Sequence, residues 1–238
     1  MPGGDPADAA VTAYDELTRW VRSMDRPGAT LLQPHGWQFA TFDPTRSRRA
    51  AVLILFGARD GGRSGRPGRD LGRNELDVLF VMRASSLSNH PGQVAFPGGA
   101  IDAGDADEGA AALREAEEET GADPRGIEVL GTLPDVGLPV SNFMVTPVLG
   151  WWAEQSPIRV VDTAESELVF RCPVETLLDP SRRRTAVVRR DGFVSRTPAF
   201  LAPEAVIWGF TAMLLDAVFD GLGWTEPWDR SQEIPAPL

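Results

Sequence analysis

The 238-residue sequence contains no lysine, so all 23 of its cationic residues are arginines. They are outnumbered by 34 acidic residues, which gives a formal net charge of −11 and a pI near 4.7. Nucleic-acid-binding proteins are typically basic, so this balance argues against nucleic acid as a partner. The same charge repels anionic substrates, and binding one would require arginines or a metal ion to offset it locally.

Cysteine and long apolar runs are also scarce. Cys172 is the only cysteine, which excludes an internal disulfide, and we interpret it as a buried, inert thiol. No apolar run approaches 18 residues, and the N-terminus lacks the apolar region of a signal peptide. We therefore expect a cytoplasmic protein that does not cross or bind a membrane.

Residues 96–122, FPGGAIDAGDADEGAAALREAEEETGA, are the most informative stretch of the chain. Their second half predicts a helix, because Asp105 or Asp107 can cap its N-terminus and Gly121 supplies a left-handed residue at its end. A face of small and apolar residues is expected to pack this helix on a sheet. That face consists of Ala112, Leu113, Ala116 and Thr120.

A neighbouring face of the same helix is acidic. At about 100° per residue, Glu115, Glu118 and Glu119 fall within one third of the circumference. Glu108 lies over this face, and Arg114 is the only cation near it in the sequence. Like charges at this spacing repel by roughly 0.2–0.5 kcal/mol per exposed pair. The face is either solvated or binds a cation, and the glycine turn leading into the helix favours the cation because it lets backbone approach closely.

This arrangement resembles the Nudix box, G-x5-E-x7-R-E-U-x-E-E-x-G-U, in which U is aliphatic. Residues 114–122, REAEEETGA, match its second half without a gap. The first half departs from the box, because Gly99 stands one residue too far from Arg114 and Ala106 occupies the position of the first box glutamate.

A one-residue insertion at that point is usual in the coenzyme A pyrophosphatase subfamily of Nudix hydrolases. That group also carries a leader resembling R-(S/A)-x3-R-x3-G-x3-F-P-G-G. The corresponding residues here are Arg83, Ala84, Ser88, Gly92 and residues 96–99. Only Ser88 departs from the leader, at a place where the subfamily has arginine.

Three further segments are similar to this subfamily, so the resemblance covers roughly residues 76–215. They are residues 133–151, 164–180 and 207–212. The resemblance implies an α/β Nudix fold, with a mixed β-sheet sandwiched between helices and the box forming a loop–helix–loop. Strands alternating with helices in the sequence favour the same class.

The remaining segments predict an ordinary set of elements. An amphipathic helix is predicted within residues 7–23, and it either packs on the domain or covers a partner subunit in a homodimer. Strands are predicted at 51–56, 76–82, 93–96, 127–133 and 144–149. A short helix is predicted at 173–178, a hairpin at 181–193 and a longer helix at 204–220. The arginine-rich residues 57–75 predict an exposed, mobile loop, or one that reaches a substrate phosphate.

These elements divide the chain into three parts. We expect an N-terminal helical extension over residues 1–30, a Nudix hydrolase domain over 31–222 and a C-terminal tail over 223–238. The end of that tail, residues 225–238, is expected to be loosely held.

The resemblance also implies which residues do the chemistry. Glu115, Glu118, Glu119 and the Gly99 carbonyl would bind Mg²⁺ or Mn²⁺, since hard divalent cations prefer oxygen ligands. Arg114 would hold Glu118 in the rotamer that binds the metal ion.

A base and a substrate-binding surface are implied as well. The base is assigned to Glu165 in a later loop, with Glu167 as the competing choice, and His90 is interpreted as a turn residue. The substrate-binding residues are taken from the leader and the glycine turn. They are Arg83, Ser88, Gly92, Phe96 and Gly98.

Three functions remain open from the sequence. The first is metal-dependent hydrolysis of coenzyme A or acyl-coenzyme A to 4′-phosphopantetheine and adenosine 3′,5′-bisphosphate. The second is hydrolysis of another nucleoside diphosphate derivative, such as ADP-ribose or a nucleotide sugar. The third is a non-catalytic Nudix-fold binding module. The acid cluster speaks against the third, because a binding module does not need mutually repelling carboxylates.

Overall fold

A computed structural model describes residues 11–32, 45–59, 68–86, 91–138, 142–190 and 193–237. Its helices are α1 (Ala13–Met24), α2 (Glu108–Thr120), α3 (Val174–Leu178) and α4 (Gly209–Gly221). Its strands are β1 (Arg48–Ala58), β2 (Leu76–Arg83), β3 (Val94–Ala95), β4 (Gly98–Ala100), β5 (Ile127–Thr132), β6 (Val136–Leu138), β7 (Phe143–Trp152), β8 (Ser166–Pro173), β9 (Arg183–Arg190), β10 (Phe193–Leu201), β11 (Val206–Ile207) and β12 (Glu233–Pro235).

The described strands form two mixed sheets. The larger runs in the order β3-β2-β1-β7-β5, with β4 paired to β1, β6 to β7 and β8 to β2. Its β1 and β7 are parallel, whereas its other pairs are antiparallel. The smaller sheet runs β11-β10-β9-β12, in which only β12 and β9 are parallel. This architecture confirms the expected α/β class.

Strand β1 divides the core because it is buried on both faces. Ile54 and Phe56 belong to a large cluster shared with α1 and α4, and Leu53 and Leu55 belong to a second cluster under α2. Alternate residues of a strand point to opposite faces, so one apolar run serves both clusters. The sheet is therefore sandwiched between helices, as the resemblance implied.

The N-terminal helix packs on the large cluster, which is the first of its two predicted roles. Leu17 and Val21 are buried in the large cluster, and Tyr14 packs edge-on against Trp151. Thr12 caps the helix by accepting a hydrogen bond from the Asp15 amide. No helix in the described ranges is long and apolar enough to cross a membrane.

Two sequence expectations near the C-terminus are wrong. The last helix begins at Gly209, because Val206 and Ile207 instead pair with β10 as a short strand. The tail is held by the domain, because β12 adds to the edge of β9 and Ala236 is buried. Tertiary contacts thus override a polar, proline-rich composition.

Two other expectations concern Cys172 and the arginine-rich loop. Cys172 is buried, and burial raises the pKa of its thiol to about 12, which confirms an inert thiol. Residues 60–67 of the loop lie outside the described part of the chain. At its edges, Arg59 pairs with Glu175 and Arg69 with Glu128.

Candidate active site

The acidic helix α2 forms as its end signals predict. The Asp107 carboxylate accepts a hydrogen bond from the Ala110 amide at 2.7 Å, and Gly121 ends the helix with φ of 70°. Glu108 in the first turn pairs with Arg49 of β1 at 3.1 Å. This contact fastens the start of the helix to the sheet. The predicted small and apolar face packs on the sheet through Ala112 and Ala116, with Leu113 partly buried against them and Thr120 fully buried.

The glycine turn lies directly against the acidic face. The Gly98 amide donates a hydrogen bond to Glu119 Oε2 at 3.0 Å. A Cβ added at Gly99 would lie 2.5 Å from the Glu115 carboxyl group, and one at Gly98 would lie 2.4 Å from the Ala51 carbonyl oxygen. At Gly98 the added carbon would meet backbone, and the φ of 159° adds a conformation that residues with a side chain rarely adopt, whereas at Gly99 it would meet only the flexible end of Glu115.

Burial opposes the charge of two of these carboxylates. Burial, with help from Glu115 and Glu165, raises the pKa of Glu119 to about 7, while the Gly98 amide and Arg83 act in the opposite direction. Burial is also the main cause that raises the pKa of Glu115, and Arg114 partly counters it. A cation placed here would stabilise both carboxylates. Such a cation would have to displace a proton from Glu119 below pH 7.

Arg114 is held by more partners than the sequence predicts. Its Nη1 donates to Glu115 Oε1 at 2.9 Å and to Glu118 Oε2 at 3.2 Å, as expected for a residue that orients Glu118. Its other edge binds Asp105, which receives Nε and Nη2 at 3.0 Å each. The sequence suggested Asp105 only as a helix cap, a role that Asp107 takes.

Glu165 and Arg83 lie beside the acid cluster, across the edge of β2 and β8. The Ala84 amide donates to the Glu165 carbonyl at 2.9 Å, and the charges of Arg83 and Glu165 both act on Glu119. Arg83 Nε is buried and has no hydrogen-bond partner among the described residues. The competing base Glu167 is engaged elsewhere, since its Oε2 accepts from the Ser85 amide at 3.3 Å.

The other predicted substrate-binding residues differ in exposure. Gly92 lies in an exposed turn, where its amide donates to the Arg83 carbonyl at 3.1 Å. Phe96 is buried and stacks on Phe80 with ring centroids 5.3 Å apart. Ser88 and His90 lie outside the described residues. The structure thus gives Phe96 a packing role, and its contact with substrate stays a prediction.

The donor set of the cluster fits a hard divalent cation. Its oxygens belong to carboxylates whose charge burial disfavours, and the missing side chain of Gly99 lets the Glu115 carboxylate lie directly against the turn backbone. Within the described ranges no three acidic, histidine or cysteine side chains converge to hold an ion as they stand. The Glu118 side chain is 58 % exposed, and one of its oxygens pairs with Arg114.

Comparison with known proteins identifies the family. A family model described as NUDIX domain matches residues 69–192. NudL of Salmonella paratyphi B and of Salmonella enteritidis, both described as uncharacterized Nudix hydrolases, are each 38 % identical over 175 residues, covering 74 % of this chain and 83 % of theirs. The chain therefore belongs to the Nudix family, as a pyrophosphohydrolase that acts on nucleoside diphosphate derivatives.

Solved structures of Nudix proteins are similar to this one in fold. A MutT/nudix family protein from Enterococcus faecalis has a TM-score of 0.48 at 14 % identity, covering 77 % of this chain and 64 % of its own. The NUDIX domain of Shewanella oneidensis NrtR, solved with ADP ribose, has a TM-score of 0.40 at 22 % identity, covering 56 % and 79 %. Nudix hydrolases generally use divalent ions such as Mg²⁺ or Mn²⁺.

Proposed function

We propose that this protein hydrolyses the pyrophosphate bond of coenzyme A or an acyl-coenzyme A. Water adds to one phosphorus, the bridging P–O bond breaks, and the products are 4′-phosphopantetheine, or its acyl form, and adenosine 3′,5′-bisphosphate. The observation that carries the proposal is Arg83, the first residue of the leader. It lies close enough to the acid cluster for its charge to act on Glu119, and its buried Nε has no hydrogen-bond partner among the described residues.

The metal ion belongs to the acidic face of α2. Glu115, Glu118, Glu119 and the Gly99 carbonyl would hold Mg²⁺ or Mn²⁺. The ion, when bound, supplies charge neutralisation at the non-bridging oxygens and lowers the pKa of a bound water. Burial of Glu115 and Glu119 supports this assignment, because burial raises the pKa of both carboxyls despite their contacts with Arg114 and the Gly98 amide, and a further cation would favour their charged forms.

The base that takes the proton from water is Glu165. It is exposed, it lies close enough for its charge to act on Glu119, and its backbone is tied to β2 through Ala84. Glu167 is the weaker choice because its carboxylate already accepts the Ser85 amide. That contact fixes the Glu167 side chain at the Ser85 amide, whereas no described group holds the carboxylate of Glu165.

Arg83 would bind a substrate phosphate. The planar guanidinium donates parallel hydrogen bonds to phosphate oxygens, and a cation at this edge offsets a net charge of −11 that otherwise repels the substrate. Gly92 and Gly98 flank Arg83 and the acid cluster through their amides, which donate to the Arg83 carbonyl and to Glu119. Phe96 supports this surface from the core beneath it.

A substrate panel tests the proposal. The protein is assayed with Mg²⁺ or Mn²⁺ on coenzyme A, dephospho-coenzyme A, ADP-ribose and nucleoside triphosphates, and the products are identified by mass spectrometry. Release of 4′-phosphopantetheine with the highest kcat/KM on coenzyme A is expected. A preference for ADP-ribose would mean that the substrate is another nucleoside diphosphate derivative. A folded protein inactive on every compound would mean that the chain is a binding module rather than an enzyme.

The panel includes a matched pair of helix variants. Glu119→Gln should lower kcat by at least about 100-fold, because a metal ligand is lost. Glu117→Gln, an exposed glutamate two residues before Glu119, should leave the rate near that of the native protein. Equal rates for both variants would contradict the metal-site assignment.

Ser88 predicts weak binding of coenzyme A. Serine carries no charge at a place where the subfamily has arginine, and a charge-assisted hydrogen bond contributes roughly 1.5–3 kcal/mol. We expect Ser88→Arg to lower KM for coenzyme A by roughly ten- to a hundredfold, the factor that this energy represents. Tight binding by the native protein, unchanged by Ser88→Arg, would mean that another group replaces the arginine.

A further inference from the structure

Arg114 has as many described acceptors as it has N–H donors. Its Nη1 serves Glu115 and Glu118, its Nε and Nη2 serve the two oxygens of Asp105, and Nη2 also reaches the Ala100 carbonyl at 3.0 Å. A guanidinium has five N–H donors in a fixed planar fork. Each N–H group of Arg114 therefore has one acceptor, and the five contacts together fix the orientation of the guanidinium.

Asp105 is built to hold that fork. Only 7 % of its side chain is exposed, and its Oδ2 also accepts the Asp102 amide at 2.8 Å, which fixes the carboxylate in the loop before α2. The hydrogen bonds from Arg114 are the first cause that lowers the pKa of this carboxyl. A bidentate pair of this kind is the strongest arrangement that an arginine makes with a carboxylate.

The fork matters because Arg114 competes with a metal ion for the same glutamates. With its Nε edge on Asp105, Arg114 takes one oxygen each from Glu115 and Glu118 through a single nitrogen. The second oxygen of each carboxylate is left out of these contacts. If the fork were released, it could close on one glutamate with two parallel bonds and occupy both of its oxygens.

We propose that Asp105 is a positioning residue that holds the Arg114 fork away from the box glutamates and so keeps one oxygen of Glu115 and one of Glu118 available to a divalent cation. This inference depends on the metal site of the proposed function. It gives a role to the loop that contains the one-residue insertion, where Ala106 stands at the position of the first box glutamate.

Binding of Mn²⁺ to the full chain without substrate tests the proposal, followed by electron paramagnetic resonance of the free ion. Asp105→Asn should weaken Mn²⁺ binding by roughly 10- to 100-fold, the usual effect of losing a partner that orients metal ligands. Asp102→Asn is the charge control, because it removes the same charge from the same loop, with a 72 % exposed side chain 3.9 Å from Arg114. It should change the affinity by less than about threefold, as expected for a screened surface charge.

A double variant separates positioning from simple charge. Asp105→Asn should have little further effect on Mn²⁺ binding in an Arg114→Ala protein, because no fork remains to be held. Additive losses would overturn the proposal, as would native affinity in Asp105→Asn. Asp123→Asn controls for loss of a similar fork, since Asp123 pairs with Arg125 just beyond the helix.

Thermal unfolding without metal distinguishes positioning from misfolding. Asp105→Asn and Asp123→Asn should both unfold as one transition, with only Asp105→Asn losing Mn²⁺ affinity. If Asp105→Asn does not fold, Asp105→Glu keeps the charge but moves the carboxylate by one methylene, and weakened Mn²⁺ binding is again expected. Native binding in Asp105→Glu would then overturn the proposal.

Mn²⁺ binding by Glu119→Gln and by Asp105→Asn distinguishes loss of the positioning role from loss of the metal site. Should Glu119→Gln abolish Mn²⁺ binding while Asp105→Asn leaves it intact, the metal site stands and only the positioning role is lost. Native Mn²⁺ binding in Glu119→Gln would remove both. The hydrolytic activity on coenzyme A is measured separately and does not enter this comparison.

Discussion

At the scale of single residues, Glu119 links protonation to metal binding. The pKa of its carboxyl group is about 7 in the folded chain, above the ordinary 4.5, mainly because of burial. Without metal, the stability contributed by its protonated form is complete below about pH 4.5 and is lost as pH rises through 7. The proton and a cation compete for the same oxygens, so metal affinity must change in the opposite direction.

Mn²⁺ binding should therefore tighten as pH rises toward about 7 and then level off, as the Glu119 carboxylate loses its proton. The dissociation constant is measured by calorimetry on both sides of pH 7. In Glu119→Gln the residual binding should lack this step. An unchanged pH dependence in that variant would show that another group titrates.

Two glutamates at the start of β8 distinguish the base from a structural carboxylate, since Glu165 precedes the strand and Glu167 is its second residue. Glu165→Gln should lower kcat by roughly 10²–10⁴-fold with little change in KM, since a base acts in the transition state. Glu167→Gln should have a small effect on kcat, because its carboxylate holds the Ser85 amide instead. The reverse order of effects would move the base to Glu167.

At the scale of elements, the contact between β4 and α2 builds the site. Strand β4 pairs with β1, and helix α2 also packs on β1 through its small residues. Any change in their separation moves the glutamates relative to the Gly99 carbonyl. The two glycines of the turn test this arrangement in different ways.

Gly99→Ala should damage metal binding more than folding. Its Cβ would lie 2.5 Å from the Glu115 carboxyl, the flexible end of a side chain, so Glu115 moves and the backbone stays. We expect Mn²⁺ affinity to fall about tenfold or more. Gly104→Ala is the control, because no atom lies within 4 Å of the added carbon.

Gly98→Ala gives the contrasting outcome. Its Cβ would meet the Ala51 carbonyl oxygen at 2.4 Å and the Val52 Cα at 2.7 Å, which are backbone atoms of β1. The free energy of unfolding, measured with urea, should therefore fall by more than about 2 kcal/mol, in the range of other overpacked sites. A stable Gly98→Ala protein would mean that β4 can shift without loss.

At the scale of the whole molecule, the N-terminal helix and the start of the C-terminal tail pack into the same core. Trp224 packs against Phe56 of β1 and Phe219 of α4, and its indole N–H donates to Glu16 of α1 at 2.8 Å. The two ends of the chain thus stabilise each other through one buried ring. The stability of the domain should depend on residues far from the site.

Trp224→Ala should lower the free energy of unfolding by roughly 3–5 kcal/mol, since a large buried aromatic side chain is removed. Urea denaturation measures this loss, and Val161→Ala, at a side chain 46 % exposed, is the control. Mn²⁺ affinity of the folded fraction should be unchanged. A loss below about 1 kcal/mol would mean that the Trp224 ring contributes little to the core.

The sequence by itself determined the features that depend on local spacing. The box helix and its stop at Gly121 follow from residues a few positions apart, whereas its cap was narrowed only to Asp105 or Asp107. The acidic face follows from helical periodicity, and the apolar runs of β1 and β2 predict buried strands. The α/β class follows from the order of these elements along the chain.

Only the tertiary structure decided which distant groups meet. Asp105 lies nine residues before Arg114 and was indistinguishable from a cap until the loop brought its carboxylate onto the guanidinium. Val206 lies in a strand rather than at the start of a helix because it pairs with Leu201 of β10. The raised pKa of Glu119 likewise comes from burial, a property of the assembled core that neighbours in the sequence do not determine.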